Sequence, residues 1–175
     1  MVQVYRCKIC GEAYVGNSKP THCPFCGAQA KWLIDAKEYE EPEVPELTEV
    51  SRKNLEFTYD LEVNAAKIYH CMRKKTKDEF IRGMFKALSK VELEHAEVVG
   101  KLLGKDPGCE IPFKKDLCTE DREESLKKTE ELETNAIAHY KNFLEEATEE
   151  RVKEIFEALI QVEQDHLNLT EKELK

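Results

Sequence analysis

From Thr48 onward, apolar residues recur three and four positions apart in four long segments, roughly 48–75, 78–103, 120–147 and 149–173. Punctuation agrees with these limits. Thr76 and Glu79 have capping-box spacing, Thr148 precedes the acidic pair Glu149-Glu150, and Gly104 with Pro107 closes the second segment. Each segment carries one apolar stripe: Leu55, Tyr59, Ala65, Ala66, Tyr69 and Met72 in the first, and Ile81, Met84, Phe85, Leu88, Val99 and Leu102 in the second. The third runs Leu126, Ala136, Ile137, Tyr140, Phe143 and Leu144, and the fourth Val152, Ile155, Phe156, Leu159 and Leu169. Four such stripes predict a mainly α protein whose helices each bury one face.

Residues 1–37 read differently. Cys10-Gly11, Gly16-Asn17-Ser18, Pro20, Cys23-Pro24 and Cys26-Gly27 are turn chemistry, which predicts a small separate domain of knuckles and turns. The acidic stretch 38–47, with Pro42 and Pro45, disfavours helix and is expected to be a stiff linker to a helical domain at 48–175.

The helical part contains the same hairpin twice. Sliding the chain by 71 residues without a gap places Leu61-Glu62-Val63-Asn64-Ala65 on Leu132-Glu133-Thr134-Asn135-Ala136, and Tyr69 on Tyr140. The match continues through Phe85, Ala87, Leu88, Val91, Glu92 and His95 onto Phe156, Ala158, Leu159, Val162, Glu163 and His166. Two related hairpins about an approximate twofold axis make a four-helix bundle.

Four glutamates and two histidines interrupt the apolar stripes: Glu62, then Glu92 and His95, then Glu133, then Glu163 and His166. An ionised carboxylate facing a helix core is costly unless a positive group compensates it. At about 1.5 Å per residue, Glu62 stands roughly 21 Å before the turn near Thr76 and Glu92 roughly 24 Å after it, so the two are nearly level. Glu133 and Glu163 flank the turn near Thr148 in the same way. All six side chains therefore reach one slab of the core. Two Glu-x-x-His pairs bridged by carboxylates suit two hard or borderline cations, the arrangement of di-iron and di-manganese bundles. A single Glu-x-x-His is common on the exposed helices of a Glu-rich chain, but repetition in register, each copy behind a core glutamate, separates this pattern from a solvated face. Glu94, Glu97, Glu131 and Asp165 lie off the stripes and are expected in water. Glu130 sits at a stripe margin as a candidate extra ligand, while Tyr69 and Tyr140 are core aromatics within reach of a ligand oxygen.

Cys7-x2-Cys10 and Cys23-x2-Cys26, twelve residues apart, supply four thiolates to one tetrahedral ion, zinc or a single iron. The neighbouring carboxylate site favours iron. Gly11 and Gly27 permit the knuckle turns, Tyr5, Phe25 and Trp32 are expected to cover them, and His22 belongs to packing or surface. Cys71, Cys109 and Cys118 show no pairing pattern and read as small, reduced, partly buried side chains.

Composition narrows the partners. With 41% hydrophobic and 36% charged residues, no apolar run of membrane-spanning length and no leader pattern at the N-terminus, a soluble cytoplasmic protein with no membrane partner is expected. The net charge of −9 opposes a nucleic-acid partner held by phosphate contacts. Few glycines and prolines with many Glu and Lys favour helix and would suit a thermophile.

At these residues the chain resembles the rubrerythrins: a ferritin-like four-helix bundle with Glu-x-x-Ala-x-x-x-Tyr and Glu-x-x-His in each half, joined to a rubredoxin-like, zinc-ribbon-type domain with this knuckle spacing. Rubrerythrins usually carry that domain at the C-terminus, so this chain looks like the reversed-order form. The resemblance implies reduction of hydrogen peroxide to water at a di-iron (Fe–O–Fe) centre and protection against oxidative stress. It implies electrons from an external donor such as a rubredoxin or an NAD(P)H-dependent reductase, relayed through one iron (or zinc-substitutable) site at Cys7, Cys10, Cys23 and Cys26. By the same resemblance Glu62, Glu92, His95, Glu133, Glu163 and His166 are the catalytic metal ligands, and the protein is a homodimer, head to tail, in which one subunit's cysteine site reaches the other's di-iron site. Typical rubrerythrins have a further ligand glutamate where this chain has Ala136. Without it the expected site is a symmetric six-ligand centre of ferritin type, with Glu130 the candidate substitute.

Two rivals stand beside this expectation. A ferroxidase or iron-handling ferritin-like protein would use dioxygen, and a non-enzymatic zinc-ribbon adaptor would leave the bundle purely structural. The 104–119 connection could extend about 50 Å at roughly 3.3 Å per residue, enough to traverse one bundle or to pass a hairpin to a partner subunit.

Overall fold

Four long helices follow a small sheet in the computed structural model, which describes every residue except Pro107, Cys109 and Glu110. The helices are α1 (Glu49–Lys75), α2 (Glu79–Leu103), α3 (Arg122–Glu146) and α4 (Glu150–Leu174), within two residues of the limits read from periodicity. Before them, β1 (Gln3–Cys7) pairs antiparallel with both β2 (Ala13–Gly16) and β3 (Leu33–Asp35), giving the order β2-β1-β3. Residues 39–48 form no regular element. Among the described residues, no helix is long and apolar enough to cross a membrane.

Two caps differ from the sequence expectation. Thr76 does not start α2, because its N–H still bonds Met72 as the C-cap of α1; Asp78 takes the role and accepts the Ile81 N–H at 3.1 Å. Thr148 gives way to Glu149 as the residue preceding α4. The Glu149 carboxylate turns instead to the start of α1, accepting the Thr48 N–H at 2.7 Å and the Ser51 hydroxyl at 2.6 Å. Gly104 ends α2 in the left-handed region, φ 67°, as expected of a C-terminal glycine.

Burial opposes ionisation of Glu149, but the bonds from Ser51 and Thr48 prevail and hold its carboxyl down at about 2. Because this group is more acidic folded than unfolded, its contribution to stability is present above about 4.5 and is lost as pH falls toward 2. Thermal melts should therefore show wild type above Glu149→Gln near neutrality, with the gap closing across that acid window.

The two hairpins lie so that α1 runs antiparallel to α3. Asn54 donates to Glu146 at 2.8 Å at one end, and Met72 meets Thr129 at the other. Lys105, at the end of α2, stands over the Tyr59 ring, while Cys118, just before α3, reaches Cys71 near the far end of α1. The connection between hairpins thus joins opposite ends of one bundle within a single chain. Cys71 and Cys118 are joined by a disulfide, with Cα atoms 6.0 Å apart across 47 residues of sequence. This corrects the expectation of reduced thiols. The pairing arises from docking of the connection on α1, which no local spacing announces; Cys109 lies outside the described residues.

The sheet and its knuckles pack against α2 and α4. Cys7, Ile9, Cys10, Cys23, Cys26, Trp32 and Leu33 share one apolar cluster with Val98, Val99, Leu102, Phe156 and Leu159 of the bundle. Polar contacts border it: Arg151 Nη2 donates to the Ile9 carbonyl at 2.7 Å and Lys101 Nζ to that of Cys10 at 3.0 Å. Trp32 is buried as expected of a cover, whereas Phe25 is 37% exposed and faces outward. His22 lies at the surface, 3.3 Å from Asp165.

Candidate metal centres

The first centre grows from two matching turns. Gly11 N–H donates to the Cys7 carbonyl at 2.9 Å and Gly27 N–H to that of Cys23 at 3.0 Å, closures that need φ of 85° and 76°, where glycine carries no Cβ penalty. All four cysteines are buried, and Cys7–Cys26 and Cys10–Cys23 have their sulfurs 3.7 Å apart. A tetrahedron with metal–sulfur bonds of about 2.3 Å has edges of about 3.8 Å, so this donor set fits one thiolate-bound ion. Hydrogen bonding among the sulfurs lowers the Cys7 and Cys23 thiols, each most through Cys10, and raises Cys10, most through Cys23. Without a cation the four share protons; with one they supply negative charge to it.

The second centre lies in the bundle core. Glu62, Glu92, His95 and Glu163 form one group, and Glu92, Glu133, Glu163 and His166 another, with donor atoms in each all within 4.8 Å of one another. Glu92 and Glu163 belong to both and so can bridge. His95 Nδ1 lies 3.0 Å from Glu92, 3.2 Å from Glu163 and 3.7 Å from Glu62. His166 Nδ1 lies 2.9 Å from Glu163, 3.2 Å from Glu92 and 3.9 Å from Glu133. Among the described residues, both Glu92 oxygens, Glu163 Oε1 and His95 Nδ1 are buried without a hydrogen-bond partner. Such unpartnered polar atoms, gathered in a dry core, are the mark of a set that holds cations. The residues fit two ions.

Tyrosines from each hairpin orient the carboxylates of the other. Tyr140 donates to Glu62 at 2.6 Å, and Tyr69 donates to Glu133. One turn beyond those glutamates stand Ala65 and Ala136, both buried. Half-buried Glu130 joins neither group, so the set has six members and keeps the twofold pattern of the repeat.

Burial, reinforced by Glu163, lifts Glu62 to about 8 and drives Glu133 well above the carboxylate range. Burial works against charging the imidazoles, yet Glu163 beside His95 and Glu92 beside His166 hold both well above the ordinary histidine value. Burial likewise opposes ionisation of Glu163, but His166 and His95 keep it low. The metal-free core is thus a protonated network in which protons occupy the place of cations. Metal uptake should release them. Affinity for divalent ions is expected to rise with pH through the region near 8 where Glu62 loses its proton, and loading a weakly buffered sample should acidify it; uptake without proton release would contradict this charge assignment.

All ten residues singled out from the sequence fall in these two centres. Sequence reasoning missed their junction. His95 Nε2–H donates to the Cys26 carbonyl at 2.9 Å, linking positions 69 residues apart. No periodicity or spacing connects a knuckle to a helix so distant. Gly27 offered the one trace, since its lack of a side chain serves close approach to α4 as well as the turn.

A four-helix bundle with two inward Glu-x-x-His pairs and two further glutamates defines a ferritin-like metal-binding bundle. The rubrerythrin family profile matches residues 53–174, and the chain belongs to the rubrerythrin family, with its four-cysteine module ahead of the bundle. No curated protein matches it. Among solved structures, a hypothetical protein of Methanococcus jannaschii is similar with a TM-score of 0.63 at 19% identity, over 78% of this chain and 85% of that one. A hypothetical protein of Pyrococcus furiosus is similar with a TM-score of 0.60 at 21% identity, over 71% and 87%. These likenesses are of fold.

Proposed function

We propose that the protein is a non-haem di-iron peroxidase that reduces hydrogen peroxide to water, with electrons entering through an iron held by Cys7, Cys10, Cys23 and Cys26. The hydrogen bond between His95 and the Cys26 carbonyl supports this reading, because it joins a ligand residue of the bundle centre to the backbone of a ligand residue of the cysteine centre. When bound, two ferrous ions supply the two electrons that split the O–O bond, and the cysteine iron restores them singly.

The chain's own groups prepare that chemistry. Glu92 and Glu163 are shared between the two ion positions, and Glu62 and Glu133 each close one side. Tyr140 and Tyr69 fix one oxygen of Glu62 and of Glu133. The apolar cluster joining knuckles and bundle keeps water out of the junction. Since the cysteine module rests on its own bundle, the relay runs within one chain and not, as the head-to-tail expectation had it, from one subunit to the other; the homodimer draws on a rubredoxin or an NAD(P)H-dependent reductase.

Stopped-flow mixing of reduced, iron-loaded protein with peroxide tests the proposal. Bundle iron should oxidise far faster than free ferrous ion, with oxidation of the cysteine iron following; no acceleration would sink it. Ala136, where a seventh ligand is absent, favours a second reading as a ferroxidase. The same instrument decides between them, because a ferroxidase oxidises its iron faster with dioxygen than with peroxide. A purely structural bundle accords poorly with four orphaned polar atoms at its centre.

A further inference from the structure

The described cysteines stand in two opposite states. Cys71 and Cys118 are bonded to each other, while Cys7, Cys10, Cys23 and Cys26 are free thiols gathered for an ion. A set of four thiolates assembles only where thiols stay reduced, and in such surroundings a disulfide serves most often in redox exchange. The bond between Cys71 and Cys118 is open to attack from one side. Cys71 is 0% exposed on α1, whereas Cys118 is only partly buried and follows the exposed Lys114 and Lys115. Cations gather around it: α1 ends in Arg73, Lys74 and Lys75, and Lys75 Nζ donates to the Cys118 carbonyl at 2.6 Å. Positive charge draws an attacking thiolate and stabilises a departing one. The opened form is provided for as well, since the Cys71 sulfur lies 3.9 Å from the Lys115 carbonyl oxygen, an acceptor for its S–H.

We propose that Cys71–Cys118 is a second redox site, a disulfide that takes two electrons from a protein dithiol and thereby releases the connection between hairpins from α1. One thiolate of the dithiol attacks the Cys118 sulfur, forming a mixed disulfide and expelling Cys71, which takes up a proton. The second thiol then attacks the sulfur of its own chain in that mixed disulfide, and Cys118 leaves and is protonated. The dithiol ends as a disulfide, its two protons replaced on Cys71 and Cys118. The oxidised form of the same couple closes the bond by the reverse steps. No iron takes part, so the proposal is independent of the peroxidase reading. What opens is a lightly held segment. Leu117 and Cys118 pack against the cluster of Tyr69, Met72 and Leu126, Phe113 faces His70 with ring centres 6.5 Å apart, and the Leu117 N–H reaches the Lys114 carbonyl at 3.4 Å. Without the covalent tie the short turn Lys115–Leu117 can lift from α1, carrying its lysines into solvent.

Thiol trapping tests the site in the native full chain, loaded with zinc so that the four knuckle thiolates stay occupied. Reduced thioredoxin is added without denaturant, and free thiols are captured by a maleimide and mapped by peptide mass. Cys71 and Cys118 should become labelled at least about tenfold faster than the chain unfolds globally under the same conditions, and excess oxidised thioredoxin should restore the bond. With thioredoxin lacking its second cysteine, the trapped mixed disulfide should fall on Cys118. Reduction no faster than global unfolding would make the bond a structural tie only and overturn the proposal, as would a mixed disulfide on Cys71. Trypsin reads the release independently: cleavage after Lys114 and Lys115 should be about tenfold faster in the reduced protein, because it then needs only local opening. Equal cleavage of the two forms also overturns the proposal.

Discussion

Glu163→Ala should leave the cysteine ion in place and strip the bundle, so that elemental analysis falls from three bound ions per chain to one. Glu163 is common to both ion positions, with one oxygen 3.2 Å from His95 and the other 2.9 Å from His166. Changing a group that merely supports a ligand already costs about 10–100-fold in metal affinity, so loss of a shared ligand should exceed that range. The metal-free protein suffers as well. Glu163 is the counterion that both buried imidazoles share, and breaking a buried pair destabilises by roughly 3–5 kcal/mol unless the histidines release their protons. Glu97→Ala, off the stripe, should retain all three ions. Full bundle loading in Glu163→Ala would show that the six-residue set is not the metal site.

Cys71→Ser should lower the melting temperature more than any surface change. The bond closes 47 residues, and removing a loop of that length from the constraints on the unfolded chain costs about 4 kcal/mol in the chain-entropy description. For a protein of this size that corresponds to roughly 8–16 °C. Reductant should lower the wild type to the level of the variant and leave the variant unmoved. Identical melting of wild type and variant without reductant would show that the bond contributes nothing in solution.

Much of this molecule was legible because two codes were written redundantly. Helical periodicity marked four elements, and the 71-residue repeat marked Glu62, Glu92 and His95 again as Glu133, Glu163 and His166, so that polar breaks in apolar stripes could not be taken for surface positions. The cysteines carried their meaning in spacing alone. What escaped was set by tertiary contact. Thr76 and Asp78 both offer a capping oxygen, and Asp78 prevailed because the backbone of Thr76 is still occupied by α1. Glu149 looked like the first acidic residue of α4 and serves α1 instead. The Cys71–Cys118 bond and the seat of the cysteine module on α2 and α4 join segments far apart in sequence, through carbonyls and glycine surfaces that hydrophobic pattern does not record.

The disulfide also changes how the metal site assembles. Glu62 precedes Cys71 closely and Glu133 follows Cys118 closely, so the bond shortens the covalent path between these two carboxylates from 71 residues to about 25. An unfolded but oxidised chain therefore keeps the two halves of its chelator near each other, which reduces the loop-closure cost of bringing them together by about 1 kcal/mol. Recapture of metal after heat shock becomes a short-range search, made within a chain that is already partly tied.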